Sequence, residues 1–326
     1  MKVLVTGGTG FIGSHLVDEL LDNNYNVRVL KRRTSKDIFL KGKKVTFSFG
    51  DLGNPKSLEK ACLGVDIVFH IAAIPRDWGS KKDFYEVNLK GTKNLLDACV
   101  KNRIPKFVYM SSAAVYGFPK TNQPITEDYP KKPAAKYGKT KYKAEQLLWK
   151  YGLENGIFVS AIRSPLVTGP RDRMIAPFLI NALKSGRFFY IGSGEQKISI
   201  SDARDIAYLL RIIGETRQAN AQVYNVKSFD CTPRQIIEKL SEKINTPLPK
   251  KYMSYKKAYF IAFFIEGLWT ILRRENPLLT KHKVKVLGHN RIINISKAEN
   301  ELGYKPKYDL NTTIDDTVMW YNSMSI

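Results

Sequence analysis

The stretch KVLVTGGTGFIGSHLVDELLD, from Lys2 to Asp22, decides the fold. Val3-Leu4-Val5 reads as a short apolar strand, Gly7, Gly10 and Gly13 as a turn, and Phe11 to Asp22 as an amphipathic helix. The first turn of such a helix offers unpaired backbone N–H groups and the positive end of the helix dipole, which together suit a pyrophosphate. Glycines alone would be weak grounds, since a tight turn uses them too. The strand before and the helix after make a dinucleotide cradle the better reading. The spacing TGxxGxxG puts one more residue between the first two glycines than GxGxxG does.

Working outward, the apolar runs KVLVT, VRVL, VTFSF, DIVFHIA, KFVYMSS and FVSAIR alternate with helical stretches such as SHLVDELLDN and NLLDACVKN. That alternation predicts βαβ units and a parallel sheet buried on both faces, with the ligand crevice at the carboxyl ends of the strands. The expected class is α/β, a Rossmann-type doubly wound parallel sheet. After Gly169-Pro170 the pattern changes to mixed helices and short strands. The expected division is therefore 1–168 as the dinucleotide-binding domain and 169–326 as a smaller, mixed α/β and mainly substrate-binding domain.

Composition narrows the classes. The 326 residues are 43% hydrophobic, ordinary for a globular chain able to bury a sizeable core. Cys62, Cys99 and Cys231 are far apart, with no CxxC or His cluster, so neither a metal site nor a disulfide framework is expected and a cytoplasmic setting fits. MKVLVTGGTG runs straight into the glycine turn, which reads as neither a signal peptide nor a membrane span. A formal charge of +23 is the compositional outlier. Solvated lysines explain it most simply, and attraction to an anionic membrane surface is the second reading. Nucleic acid is not expected as a partner, because no recognition motif accompanies the charge.

The end of the second strand usually selects the adenosine ribose, a carboxylate there favouring the 2′-hydroxyl of NAD. Lys31-Arg32-Arg33 stands there instead, so NADP(H) is favoured and NAD(H) is the alternative; a solvated basic loop is the bland reading. Asp51-Leu52, after the third strand, is suited to adenine. Ala72-Ala73 lets backbone approach the cofactor, and Asn88 is placed to fix backbone near the active helix. His70 reads as a packed structural histidine.

Tyr137-Gly138-Lys139-Thr140-Lys141 puts a phenol and an ammonium four residues apart, hence on one helical face. A free tyrosine titrates near 10, so a neighbouring cation is needed to favour phenolate. Lys141 supplies one, and Ser112 would hold the same substrate oxygen while Tyr137 exchanges a proton and hydride passes to or from a nicotinamide. The reaction class is carbinol to carbonyl or its reverse.

TGGTGFIG, DIVFHIAA, VNLKGTKNLL, YMSSAAVYG, YGKTK, RSPLVTGP and ISKAENELGYKPKYDL together resemble the extended short-chain dehydrogenase/reductase superfamily, the NAD-dependent epimerase/dehydratase family. The resemblance implies Ser112, Tyr137 and Lys141 as the catalytic triad and Gly7, Gly10, Phe11, Ile12 and Gly13 as pyrophosphate binders. It also implies Pro165 beside the nicotinamide, and a homodimer as a common assembly. Members acting on nucleotide sugars often carry Asn within the stretch that is Ser164-Pro165-Leu166 here, and Arg-x-Gly-Asp near the end; neither is evident. NRIINISKA, from Asn290, and Pro277-Leu278-Leu279-Thr280 are more similar to the 3β-hydroxysteroid and sterol-4-carboxylate dehydrogenase branch. Arg32 resembles the NADP-binding arginine of dihydroflavonol reductases.

Ala258 to Leu272, AYFIAFFIEGLWTIL, is nearly all apolar and flanked by Lys250, Lys251, Lys256, Lys257, Arg273 and Arg274. It is short of the roughly 20 residues that cross a bilayer. It is expected either to lie in a membrane interface, making the protein peripheral, or to cover a hydrophobic pocket. Ala262, Glu266 and Thr270 mark a narrow polar seam. Both readings favour a hydrophobic, sterol- or lipid-like substrate, with a nucleotide sugar as the alternative.

Overall fold

The computed structural model describes residues 1–119, 121–272, 277 and 279–324. Arg273, Arg274 and Leu278 of the motifs above lie outside the described residues. The strands are β1 (Lys2–Thr6), β2 (Asn26–Lys31), β3 (Val45–Phe49), β4 (Ile67–His70), β5 (Lys106–Met110), β6 (Phe158–Arg163), β7 (Leu166–Thr168), β8 (Tyr190–Ile191), β9 (Ile198–Asp202), β10 (Gln222–Asn225), β11 (Phe229–Cys231) and β12 (Tyr252–Met253). The helices are α1 (Phe11–Asp22), α2 (Pro55–Cys62), α3 (Lys81–Phe84), α4 (Gly91–Lys101), α5 (Lys136–Asn155), α6 (Ile175–Lys184), α7 (Ala203–Glu215), α8 (Pro233–Lys243), α9 (Tyr255–Ile271), α10 (Lys281–Gly288), α11 (Ser296–Leu302) and α12 (Leu310–Ser323).

Seven strands form one sheet in the order β10-β6-β5-β4-β1-β2-β3, with every neighbouring pair parallel. The order reverses between β1 and β4, which opens a crevice at the carboxyl ends of the strands where the glycine turn sits. β1, β4 and β5 are almost wholly buried, as their unbroken apolar runs require. β3 departs from that expectation. As the edge strand it leaves Phe47 and Phe49 exposed, and Lys31 and Arg33 place their cations over these two rings, 5.0 and 5.2 Å from the centroids.

The second half of the chain does not stay apart from the first. α7 packs along α1, and β10 extends the large sheet beyond β6. The remaining strands make two small sheets, β11-β9-β7 and β12-β8. The fold is thus a Rossmann-type parallel sheet clothed by helices, with a smaller mixed part at the crevice side.

Candidate active site

The glycine turn closes as its sequence requires. Gly7 has φ +72°, and a Cβ there would stand 2.8 Å from the Ala72 nitrogen. A Cβ on Gly13 would fall 2.2 Å from the Gly7 oxygen. Gly10 caps α1 without any side-chain acceptor, so the first N–H groups of the helix, on Phe11, Ile12 and Gly13, are not claimed by a capping side chain. Thr6 Oγ1 accepts the Ala72 N–H at 3.2 Å, holding β1 and the segment after β4 together at the cradle floor. These residues fit a dinucleotide pyrophosphate: glycine where backbone must approach, and free donors where negative charge would lie. When bound there, a nicotinamide dinucleotide supplies the hydride donor or acceptor.

The three basic residues after β2 separate in space. Lys31 is tied to Asp37 at 2.6 Å, whereas Arg32 projects from the surface with no ion-pair partner among the described residues. Asp51 is exposed and one of its carboxylate oxygens takes the Gly53 N–H at 2.8 Å, while Leu52 is buried against Gly91. Asn88 is fully buried in a π-helical turn between α3 and α4. It accepts the Ile74 N–H at 2.8 Å, donates to the Ile74 carbonyl at 3.3 Å, and also donates to Thr140 on α5 at 3.3 Å. The amide thereby fastens the backbone beyond Ala72-Ala73 to the helix that carries Tyr137 and Lys141. Pro165 lies between β6 and β7, after Ser164, and is half-buried. His70 is fully buried with both ring nitrogens in hydrogen bonds, to Thr6 and Thr92.

Ser112 heads the short turn after β5, and Tyr137 and Lys141 lie one turn apart at the start of α5. Gly138 explains how the two segments meet. A Cβ on it would stand 2.6 Å from the Ala114 carbonyl oxygen, so only glycine lets α5 settle against the turn that carries Ser112. Tyr137 is held up at about 12 by desolvation, with a hydrogen bond to Ser112 opposing the shift. Burial pulls Lys141 down to about 7, against the pull of Glu145. The ammonium donates to the Met110 carbonyl at 2.6 Å and stands 4.4 Å from the Tyr109 ring centroid. A phenol and a hydroxyl thus meet beside the crevice, with the buried amine one helical turn further along α5 on the Met110 carbonyl. This set can hold one oxygen and pass one proton to or from it.

Glu145 is the residue that sequence reading missed. It lies one turn beyond Lys141, fully buried, and receives Arg163 Nε and Nη2 at 3.0 and 2.7 Å together with the Ser111 hydroxyl. Arg163 also donates to the Tyr116 hydroxyl and the Glu127 carbonyl, both at 2.9 Å, and Tyr116 donates to Asn225 at 2.7 Å. Each charge has its counter-charge and its hydrogen bonds, which is the condition for tolerating charge in an interior. The available signal was the spacing Tyr137, Lys141, Glu145, every four residues on one face.

A model of the NAD dependent epimerase/dehydratase family matches residues 3–226. The chain is 29% identical over 336 residues to the sterol-4-alpha-carboxylate 3-dehydrogenase, decarboxylating, of Mus musculus, covering 99% of this chain and 91% of that one. It is 29% identical to the 2-alkyl-3-oxoalkanoate reductase of Stenotrophomonas maltophilia, covering 95% and 96%. Among solved structures, the UDP-glucuronic acid 4-epimerase from Bacillus cereus in complex with NAD superposes with a TM-score of 0.81 at 25% identity over both whole chains. The chain therefore belongs to the NAD-dependent epimerase/dehydratase family and is an NAD(P)-dependent enzyme of the extended short-chain dehydrogenase/reductase type.

Proposed function

We propose that the protein interconverts a hydroxyl and a keto group on a hydrophobic, sterol- or lipid-like molecule. Tyr137 exchanges the proton, Ser112 orients the reacting oxygen, and Lys141 supplies positive charge beneath them. The meeting of Ser112 and Tyr137 across Gly138 is the observation that carries this reading. Residues 1–168 hold most of the dinucleotide and 169–326 supply mainly the substrate side, apart from the return of α7 and β10 to the large sheet. The two relatives named above support the substrate class, since their names specify an acid group on the carbon next to the reacting one.

For the cofactor, the free Arg32 favours NADP(H), its guanidinium being suited to a 2′-phosphate. The helix α9 supports a site of action at a membrane. Phe260, Phe263, Phe264, Leu268 and Ile271 are each at least half exposed, and Lys250, Lys251, Lys256 and Lys257 are exposed beside them. An anionic lipid surface complements both features: aromatic rings enter the interface and ammonium groups meet the headgroups. No helix among the described residues is long and apolar enough to cross a membrane. A homodimer remains part of the proposal on family grounds alone.

Native mass spectrometry of the purified protein, with identification of extracted small molecules, tests the reading. NADP(H) with a sterol or lipid acid supports it. Tightly retained NAD with a nucleotide sugar, and a product with no net redox change, would replace it by the epimerase activity for which the Bacillus cereus neighbour is named.

A further inference from the structure

Two guanidinium groups reach toward Ser112, and among the described residues Arg163 has a counter-charge while Arg291 has none. Arg163 is saturated by Glu145, Tyr116 and Glu127. Arg291 is fixed by its backbone, which donates to the Lys197 carbonyl at 2.7 Å and accepts the Ser199 N–H at 3.1 Å. Its side chain crosses to the turn after β5, where Nη2 donates to the carbonyl of Ala113, the residue next to Ser112. Nε is buried with no hydrogen-bond acceptor, and no carboxylate pairs with this guanidinium among the described residues. Among the described residues Tyr116, neutral at ordinary pH, is the group that acts on its charge; His282 and Lys285 pack around the Phe118 ring nearby, and the carboxylates of Asp77 and Glu266 act on His282. Desolvation lowers the guanidinium to about 10. The residue as a whole is half-buried, and a cation with a buried, unsatisfied Nε and no counter-charge among the described residues gains when an anion arrives.

We propose that Arg291 binds a carboxylate borne on the carbon adjacent to the reacting carbon, so that the substrate is a β-hydroxy or β-keto acid. This rests on the oxidoreductase reading above. The guanidinium caps the residue beyond Ser112, so an acid group held by its remaining N–H groups lies beside an oxygen held by Ser112 and Tyr137. Binding there fixes which face of the reacting carbon meets the nicotinamide.

The test compares oxidation of a long-chain 2-alkyl-3-hydroxyalkanoate with that of its methyl ester, for the wild type, Arg291→Gln and Arg291→Lys. The wild type is expected to prefer the acid. Arg291→Gln is expected to lower kcat/KM for the acid on the order of a hundredfold, mostly through KM, and to leave the ester within about twofold. Arg291→Lys keeps the charge and part of the preference, so it answers the question if the glutamine variant does not fold. Equal losses on acid and ester would reduce Arg291 to a prop for the Ala113 carbonyl and overturn the proposal. Turnover of neither compound by the wild type with NAD or NADP, accompanied by epimerisation of UDP-glucuronic acid, would overturn the oxidoreductase reading itself.

Discussion

Helices α5 and α9 break the inside-outside rule in opposite senses. α5 turns Tyr137, Lys141 and Glu145 toward the protein and leaves Lys136, Lys139 and Lys143 in solvent. α9 does the reverse. Its small and polar seam faces inward, with Ala258 and Ala262 buried and Glu266 accepting the Lys281 N–H at 2.8 Å and pairing with the Lys281 ammonium at 3.0 Å. Phe260, Phe263 and Phe264 face outward, while Tyr255 and Tyr259 pack inward against the Ala258 and Ala262 side. The charge hidden on α5 is matched within the fold, whereas the apolar surface shown by α9 has no match among the described residues. On the proposed function, the buried charge belongs to the chemistry and the exposed hydrocarbon to a surface that meets lipid.

The sharpest way to break this contrast is at Tyr137. Tyr137→Phe removes the proton carrier and keeps the ring, so kcat is expected to fall by about 10²- to 10⁴-fold with little change in the melting temperature. A large loss of melting temperature would make Tyr137 a packing residue. Next in size, Glu145→Ala leaves Arg163 buried and unpaired and is expected to cost about 3–5 kcal/mol in urea unfolding. Combined replacement by Glu145→Leu and Arg163→Met should recover much of that loss. If the single variant is as stable as the wild type, the interior charges of α5 are not matched in the way described.

For α9 the expectation runs the other way. Charged replacements at Phe263, Phe264 and Trp269 should abolish co-flotation with vesicles containing anionic lipid, while altering stability by less than about 0.5 kcal/mol. A wild type that stays soluble at low salt in that assay would remove the membrane from the proposal. On the cofactor side, Arg32→Ala should weaken NADPH by roughly tenfold and NADH much less, measured by fluorescence titration. Equal weakening of both defeats the 2′-phosphate assignment.

The smallest effect is acid sensitivity. Burial holds His15 down to about 4 and His70 to about 3, so both stay neutral in the folded chain while the unfolded chain takes up protons near 6.5. Unfolded chains then bind more protons below that value, and the stability present above pH 6.5 is lost as pH falls toward 4. The loss should reach about 1 kcal/mol for each histidine by pH 5.5, seen in urea midpoints at pH 7 and pH 5.5. A midpoint that does not move would mean that these rings gain protons in place.

The sequence by itself determined the sheet, the cradle and the face of α5 that bears Tyr137 and Lys141. The reason is that strand runs, glycines at fixed offsets and four-residue spacings are local, and the backbone converts them directly into geometry. It did not say that VTFSF would be an edge strand, because edge position depends on which strand pairs last. Nor did it reveal that Glu145 would find Arg163, or that Arg291 would reach the Ala113 carbonyl and no carboxylate among the described residues. These contacts join residues 18 and 178 positions apart. The outward turn of α9 was likewise hidden, because its hydrocarbon reads the same whether a pocket or a membrane covers it. Tertiary packing decided those outcomes, since burial, counter-charge and exposure are properties of what surrounds a side chain and not of its place in the chain.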